Sequence, residues 1–431
     1  MNRFFIAILL TNWIVLAYGQ GAVQASFVPV ASGYAQTSVN ATIFRKNSIS
    51  SQDGHQVVAF YNQLGRVVLA HRELGEEDWD IRTTRFEGNV ADAHNIISIL
   101  HDGDGYLHMA WDHHGDSLHY ARSVAPHSLK MEEVTMIGRA EGKVTYPEFY
   151  RLPDGNLIFA YRDGQSGNGN LVLNLYATEH KTWTRLHDNL IDGEGERNAY
   201  WQMCVDQAGT IHLSWVWREG WDVASNHDLC YVRSFDGGKS WVTYQGEPCS
   251  LPMTDETPAY VFRIPPNSSL INQTSITADA AGNPFIATYF RGEADEVTQF
   301  KLVYLWENSW RAATVSKRKT AFDLGGGGTK SLPISRPQVM VDTDHAYLIY
   351  RDEEYDNRLC LATASLSDMD KWNIRSLNEE SMDRWEPSYD TYLWQEKGLL
   401  HLYYQVTGQG DGERTTASPP TTVQVLELEW D

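Results

Sequence analysis

The chain is predicted to fold as an all-β, seven-bladed β-propeller with four antiparallel strands per blade. Three observations lead there. A turn of glycine or polar residues is followed seven times by a short apolar run that ends in aromatic residues. Most copies lie about 50 to 60 residues apart, with one step of about 70, a period typical of strand-built arrays and propellers. Further runs of alternating apolar and polar residues follow the copies, as half-buried strands require. The reading weighed against this one is a pair of large β-sandwiches.

In order, the copies are DGHQVVAFY (residues 53–61), DGYLHMAW (104–111), DGNLIFAYR (154–162), AGTIHLSWVWR (208–218), AGNPFIATYFR (281–291), DHAYLIYR (344–351) and KGLLHLYY (397–404). Each reads as a tight turn and the second strand of a blade, where β-branched and aromatic side chains suit a pleated surface. A third strand and a Trp-bearing fourth follow, as in residues 67–86, 171–186 and 302–315. With an inner strand before each turn, the blade has four strands. The last run, 423–430, is expected to seal the ring against chain near the N-terminus. SFDGGKSW (234–241) matches the Asp-box pattern S-x-D-x-G-x-[ST]-W. Its Asp folds back on turn amides while its Trp packs between strands, so it marks a propeller and not a catalytic site. Two Gly-rich stretches, 325–328 and 408–422, read as exposed, mobile loops. HDGDG (101–105) reads as a hairpin turn, not a calcium loop.

The 431 residues would allow two or three domains, but the continuous repeat argues for one toroidal domain over 20–431. Before it, Arg3, an apolar run over 4–17 and Ala17-Tyr18-Gly19 form the pattern of a secretory leader over 1–19. The competing reading is a membrane anchor, but the run is short for a span and is broken by Thr11-Asn12. No second run could cross a bilayer, so the protein is expected to be secreted, with no membrane partner. A formal net charge of −21 argues against nucleic acid as a partner. A polyanionic ligand would need a local basic patch set against that global sign. Cys204, Cys230, Cys249 and Cys360 allow three disulfide connectivities or stay as buried thiols.

Blade geometry points to where chemistry can sit. The second strand runs antiparallel to the inner one, so the start of the first and the end of the second share one face of the disc. Inner-strand starts offer His94, Tyr146 and Tyr200; second-strand ends offer Asp112-His113-His114, Arg162, Arg218, Arg291 and Arg351. One face therefore gathers histidines, tyrosines and arginines, a site for an anion. The plain alternative for each is a hydrogen-bonded rim residue or a salt bridge between blades.

These residues carry a likeness. AHNIISI, WDHH, TYPEFYRLPDGNLIFAYRDGQSGNGN, RNAYWQ and NHDLCYVRSFDGGKSW, in that order, resemble the BNR-repeat polysaccharide lyases, above all the seven-bladed ulvan lyases. The resemblance covers most of the mature chain and is densest over 93–241. It implies an acidic sulfated polysaccharide as partner, in which rhamnose 3-sulfate alternates with uronic acid, and cleavage by β-elimination at the uronate. Such an enzyme must neutralise the carboxylate, remove the C5 proton and protonate the leaving O4. The resemblance implies Arg162, helped by His114, for the carboxylate, and His94 and Tyr146 as the acid/base pair with the roles left open. Tyr200, His113 and Arg218 are expected to contact substrate. His113 rivals His114, because neighbouring strand residues point to opposite faces.

No cofactor is implied for catalysis. The family includes members with a structural zinc, for which His227, Cys230 and Cys249 are the candidate ligands here. No CxxC or HExxH spacing supports it, and core thiols with a polar loop His are the alternative. Two other functions compete. A sialidase-like glycoside hydrolase would use the Asp box, several Arg residues, the Tyr146–Glu148 pair and Arg263-Ile264-Pro265. A non-catalytic carbohydrate-binding propeller would dispense with the His/Tyr/Arg set.

Overall fold

A computed structural model describes residues 14–16, 23–41 and 47–430 of the chain. Apart from the backbone of Ile14–Leu16, which pairs with Val23–Gly33, the leader expected over 1–19 lies outside the described residues. Seven antiparallel sheets follow one another around the ring. Blade one is built from Ile49–Gln52, His55–Tyr61, Arg66–Glu73 and Asp80–Glu87. Blade three has Val144–Arg151 as its inner strand, then Leu157–Gln165, Asn168–Ala177 and Thr182–His187. Blade four repeats the order with Arg197–Val205, Ile211–Glu219, Asn226–Ser234 and Tyr260–Phe262. Blades two, five and six begin at Ile97–His101, Ser275–Ala278 and Gln338–Val341.

The ring closes as expected. Blade seven takes Ser388–Tyr389, Leu400–Tyr404 and Thr421–Trp430 from the C-terminal end, and its outer strand is Val23–Gly33. Leu426 pairs with Phe27 and Leu428 with Ala25. The first six repeat copies form the turn and second strand of their blades. In the seventh, the helix Thr391–Lys397 replaces the turn, capped by Asp390, whose side chain accepts from the Leu393 N–H, and ended by Gly398 at a left-handed φ. Tyr392 and Glu396 of this helix bind Arg151, and Gln395 donates to the Val205 carbonyl. The helix thus covers the channel at the ends of the inner strands and leaves their starts open.

Cores lie between blades. Trp201, Trp215, Trp217 and Trp241 are fully buried in a cluster shared by blades three, four and five. Truncating one of them to Ala costs on the order of 3–5 kcal/mol. The Asp box acts as a staple: Asp236 Oδ1 accepts from the Lys239 and Ser240 N–H groups at 3.0 and 2.9 Å, while Trp241 Nε1 donates to the Gly238 carbonyl at 3.1 Å. Asp102 organises the HDGDG hairpin by accepting from the Asp104 and Tyr106 N–H groups at 3.0 and 2.9 Å.

Two buried trios look catalytic and are not. His108 bridges Asp102 at 3.1 Å and the Tyr120 hydroxyl at 2.7 Å; in blade four His212 bridges Asp206 and Tyr231 at the same distances. Their recurrence at equivalent hairpins, with both imidazoles fully buried, marks them as blade struts. None of the four cysteines is held in a disulfide. Among the described residues no helix is long and apolar enough to cross a membrane.

Candidate active site

Blades two, three and four place their open-face residues around one cleft of about 160 Å³, lined among others by His94, His114, Tyr146, Arg162, Tyr200 and Arg218. His94 lies just before the inner strand of blade two. His114 begins a short strand, His114–Asp116, that adds to the inner edge of blade three with His114 opposite Thr145. That pairing sets His114 beside Tyr146 and settles its rivalry with His113. His113 is fully buried, its Nε2 accepting from the His119 N–H at 2.8 Å, and it does not line the cleft. The expectation that His113 contacts substrate is therefore corrected.

A carboxylate joins the two cleft histidines. Asp92 Oδ1 lies 2.9 Å from His94 Nδ1, and its Oδ2 lies 2.6 Å from His114 Nδ1. Asp92 is half-buried, yet its hydrogen bonds and the charges of both imidazoles outweigh that burial and hold its pKa far below the carboxylate range. Burial opposes protonation of His94, but hydrogen bonds to Asp92 and Glu413, and their charges, raise its pKa above the ordinary histidine value. The short N···O distances are those of charge-assisted hydrogen bonds.

Tyr146 stands at the centre. Its ring centroid is 5.9 Å from that of His94 and 6.0 Å from that of Tyr200, and the Arg162 guanidinium carbon lies 4.8 Å from it. Its φ is +61°, in a register shift between Thr145 and Glu148. A left-handed conformation at a residue with a Cβ costs on the order of 1–3 kcal/mol and collects at functional sites. Arg162 is buried, donates one Nη2 hydrogen bond to Thr145 Oγ1 at 3.2 Å, and has no protein partner for Nε or Nη1 among the described residues. Arg218, by contrast, has a partner at each nitrogen: it donates to Asn226, Asn272 and the Tyr200 hydroxyl. Burial raises the Tyr200 pKa, but Arg218 and Arg162, with hydrogen bonds from Ser166 and Asn198, outweigh it and bring this phenol down to about 7.

The rim comes from segments that the sequence reading did not connect with the cleft. Trp221 stands 67% exposed, its indole against Gly327, and Lys330 lines the wall without a hydrogen bond or ion pair among the described residues. The stretches 325–328 and 408–422, expected as free loops, are docked at this rim. Asp92, Thr329 and Glu413 were also not anticipated; the one available signal was Asp92, two residues before His94.

Other expected residues do not join. Arg291 donates to the Asn267 carbonyl at the surface, and buried Arg351 is held by the carbonyls of Leu332, Pro333 and Trp385. Arg263 is exposed and paired with Asp228, away from the cleft, while Glu148 is buried and accepts from Tyr150. His227 lies between Glu219 and Asp228, at 3.0 and 3.2 Å. With Cys230 and Cys249 it forms no three-residue group of donor atoms among the described residues, so the donor set expected for a structural zinc does not fit. Asp92, His94 and His114 do bring donor atoms within 4.8 Å of one another, but the contacts are the hydrogen bonds described above.

The profile described as "BNR repeat-containing family member" matches residues 55–318, more than half of the chain. The chain belongs to the BNR repeat-containing family. The long isoform of ulvan lyase from Pseudoalteromonas sp. (strain PLSV) is 25% identical over 46% of this chain and 25% of its own length. The short isoform from Alteromonas sp. (strain LOR) is 24% identical over 42% of this chain and 45% of its own. The match to these curated relatives thus spans less than half of their length. A solved polysaccharide lyase, a PL25 ulvan lyase, superposes with a TM-score of 0.66 at 15% identity, over 94% of this chain and 95% of its own. The same type of lyase bound to -[GlcA(1-4)Rha3S]- superposes with a TM-score of 0.64 at 15% identity, over 94% of each chain. In this BNR-repeat chain the cleft residues from Asp92 to Arg218 fall inside the matched region, and Thr329, Lys330 and Glu413 fall outside it.

Proposed function

We propose that this protein is a secreted polysaccharide lyase that cleaves ulvan, a polymer of sulfated rhamnose and uronic acid, by β-elimination at the uronate. The observation that carries the reading is Arg162: a buried guanidinium with two nitrogens unpartnered, at the wall of a cleft in a strongly acidic protein. A buried cation of this kind fits a carboxylate in a fork and balances the charge that grows on it as C5 loses its proton. The names of the relatives and of the superposed lyases support the substrate class, and the leader pattern over 1–19 supports export.

His94 is raised toward its protonated form by two carboxylates, which suits an acid. Tyr146, deprotonated in the substrate complex beside the Arg162 guanidinium, then takes the C5 proton as a phenolate. The C5–H electrons form the C4–C5 double bond, the C4–O bond breaks toward oxygen, and His94 protonates that oxygen. His114, Tyr200 and Arg218 hold the uronate side. Trp221 and Lys330 offer an apolar face and a positive charge to the next, sulfated sugar. No cofactor takes part in these steps.

Product masses test the proposal. Oligosaccharides from ulvan should carry an unsaturated uronate and lack the added water of hydrolysis. Hydrated ends would point to a glycosidase, and unchanged chain length to a propeller that only binds.

A further inference from the structure

Glu413 lies between the last two strands of the C-terminal end, far in sequence from every other cleft residue. Its carboxylate is engaged by two other segments. Oε1 accepts from the Thr329 N–H at 2.6 Å and lies 3.3 Å from His94 Nδ1; Oε2 accepts from the Ala93 N–H at 3.2 Å. Beside it the Gly412 N–H donates to the Thr329 carbonyl at 2.9 Å, and Asp411 accepts from the Ser331 N–H at 2.7 Å. Thr329 Oγ1 is 3.2 Å from His94 Nδ1. The two Gly-rich stretches meet so closely that a Cβ on Gly328 would stand 3.2 Å from Gly412 Cα. Glu413 itself sits at φ +64°, a conformation held by these bonds and not by local preference.

We propose that Glu413 is a positioning residue: it makes His94, and not its stacked neighbour His114, the carrier of the transferable proton, and it ties both Gly-rich loops into one rim over the cleft. This rests on the reading of His94 as the acid. Asp92, His114, Tyr146, Thr329 and Glu413 all face His94. Asp92 gives one oxygen to each imidazole, at 2.9 Å to His94 and 2.6 Å to His114, and so does not by itself favour His94. Glu413 adds its charge at His94 Nδ1, 3.3 Å away. Consistent with this, burial opposes its ionisation, yet the hydrogen bond to His94 and the imidazole charge hold its pKa low.

The test is Glu413→Gln in the full chain, which keeps the shape of the side chain and removes its charge. The His94 imidazole is titrated by NMR, and the pH dependence of kcat/KM on ulvan is measured in parallel. Losing an opposite charge at this range should lower the His94 midpoint by about one pH unit. The high-pH limb of activity should move down with it, since the acid is lost sooner as pH rises. Glu413→Asp should restore most of both. A purely structural role would lower activity at all pH values and leave the midpoint in place, and an unmoved His94 midpoint overturns the proposal. If wild type does not cleave ulvan, the lyase reading fails, while the NMR midpoint still decides the part of Glu413. If Glu413→Gln does not fold, Asp411→Ala removes the acceptor from the Ser331 N–H and loosens the same loop from its exposed side. A smaller downward shift is then expected, and no shift overturns the proposal.

Discussion

The imidazole rings of His94 and His114 stack face to face, with centroids 3.9 Å apart and planes 16° from parallel. Two imidazolium cations at that distance repel each other. Asp92, which touches both Nδ1 atoms, sets one negative charge against the pair.

Asp92→Asn keeps the shape and removes that charge. We expect kcat on ulvan to fall about 10²-fold or more, the range lost with a general acid. Stability should change with a definite sign. The folded-state pKa of Asp92 lies below the unfolded value, so its contribution is present above the unfolded pKa and fades as pH falls through the folded one. The gap in unfolding free energy between wild type and Asp92→Asn should therefore be larger at neutral pH than in acid, as denaturant titrations will show.

Arg162 donates through a planar fork, and a lysine cannot replace that geometry. Arg162→Lys should lose about 10²-fold or more in kcat/KM even though the charge is kept, and Arg162→Ala should lose more. Near wild-type turnover in Arg162→Ala would place the carboxylate elsewhere.

Tyr200 should ionise near neutrality, since Arg218 and Arg162 outweigh its burial and bring it to about 7. Near-ultraviolet difference titration should show one phenol ionising there. The step should vanish in Tyr200→Phe and move to higher pH in Arg218→Gln. A wild-type titration with no phenolate below pH 9 would refute this electrostatic account.

Asp390, the cap of the channel-covering helix, is buried with one oxygen unpartnered among the described residues, and burial lifts its pKa to about 6. A raised carboxyl pKa means the folded state holds its proton longer than the unfolded one, so stability is lost as pH rises through that window. Asp390→Asn keeps the cap and drops the charge. Its melting temperature should exceed that of wild type at pH 7 to 8, and the gain should shrink below about pH 4, where both states carry the proton.

The sequence shows the strand-built part of this site. His94, Tyr146, Arg162, Tyr200 and Arg218 lie at strand ends or just before a strand, and the alternation and direction of strands place such positions on one face. His114 over His113 was left open, because the choice depends on a short strand that joins the next blade. Arg351 obeys the same positional rule as Arg162, yet the chain at Leu332 and Pro333 folds over it and takes its hydrogen bonds. Whether a strand-end arginine is capped depends on such a loop, and no periodicity reports it. Asp92 and Glu413 stayed hidden for the same reason. The hydrogen bond from Ala93 to Glu413 spans 320 positions of chain, and the close approach of Gly328 to Gly412 reads in the sequence only as flexibility.

Ultraviolet absorbance of ulvan incubated with the purified full chain reports elimination itself. A steady rise from conjugated unsaturated uronate is expected, together with falling viscosity, and both should be nearly lost in Arg162→Ala and Tyr146→Phe. No rise from the wild-type protein, or an equal rise from Arg162→Ala, would contradict elimination at this cleft.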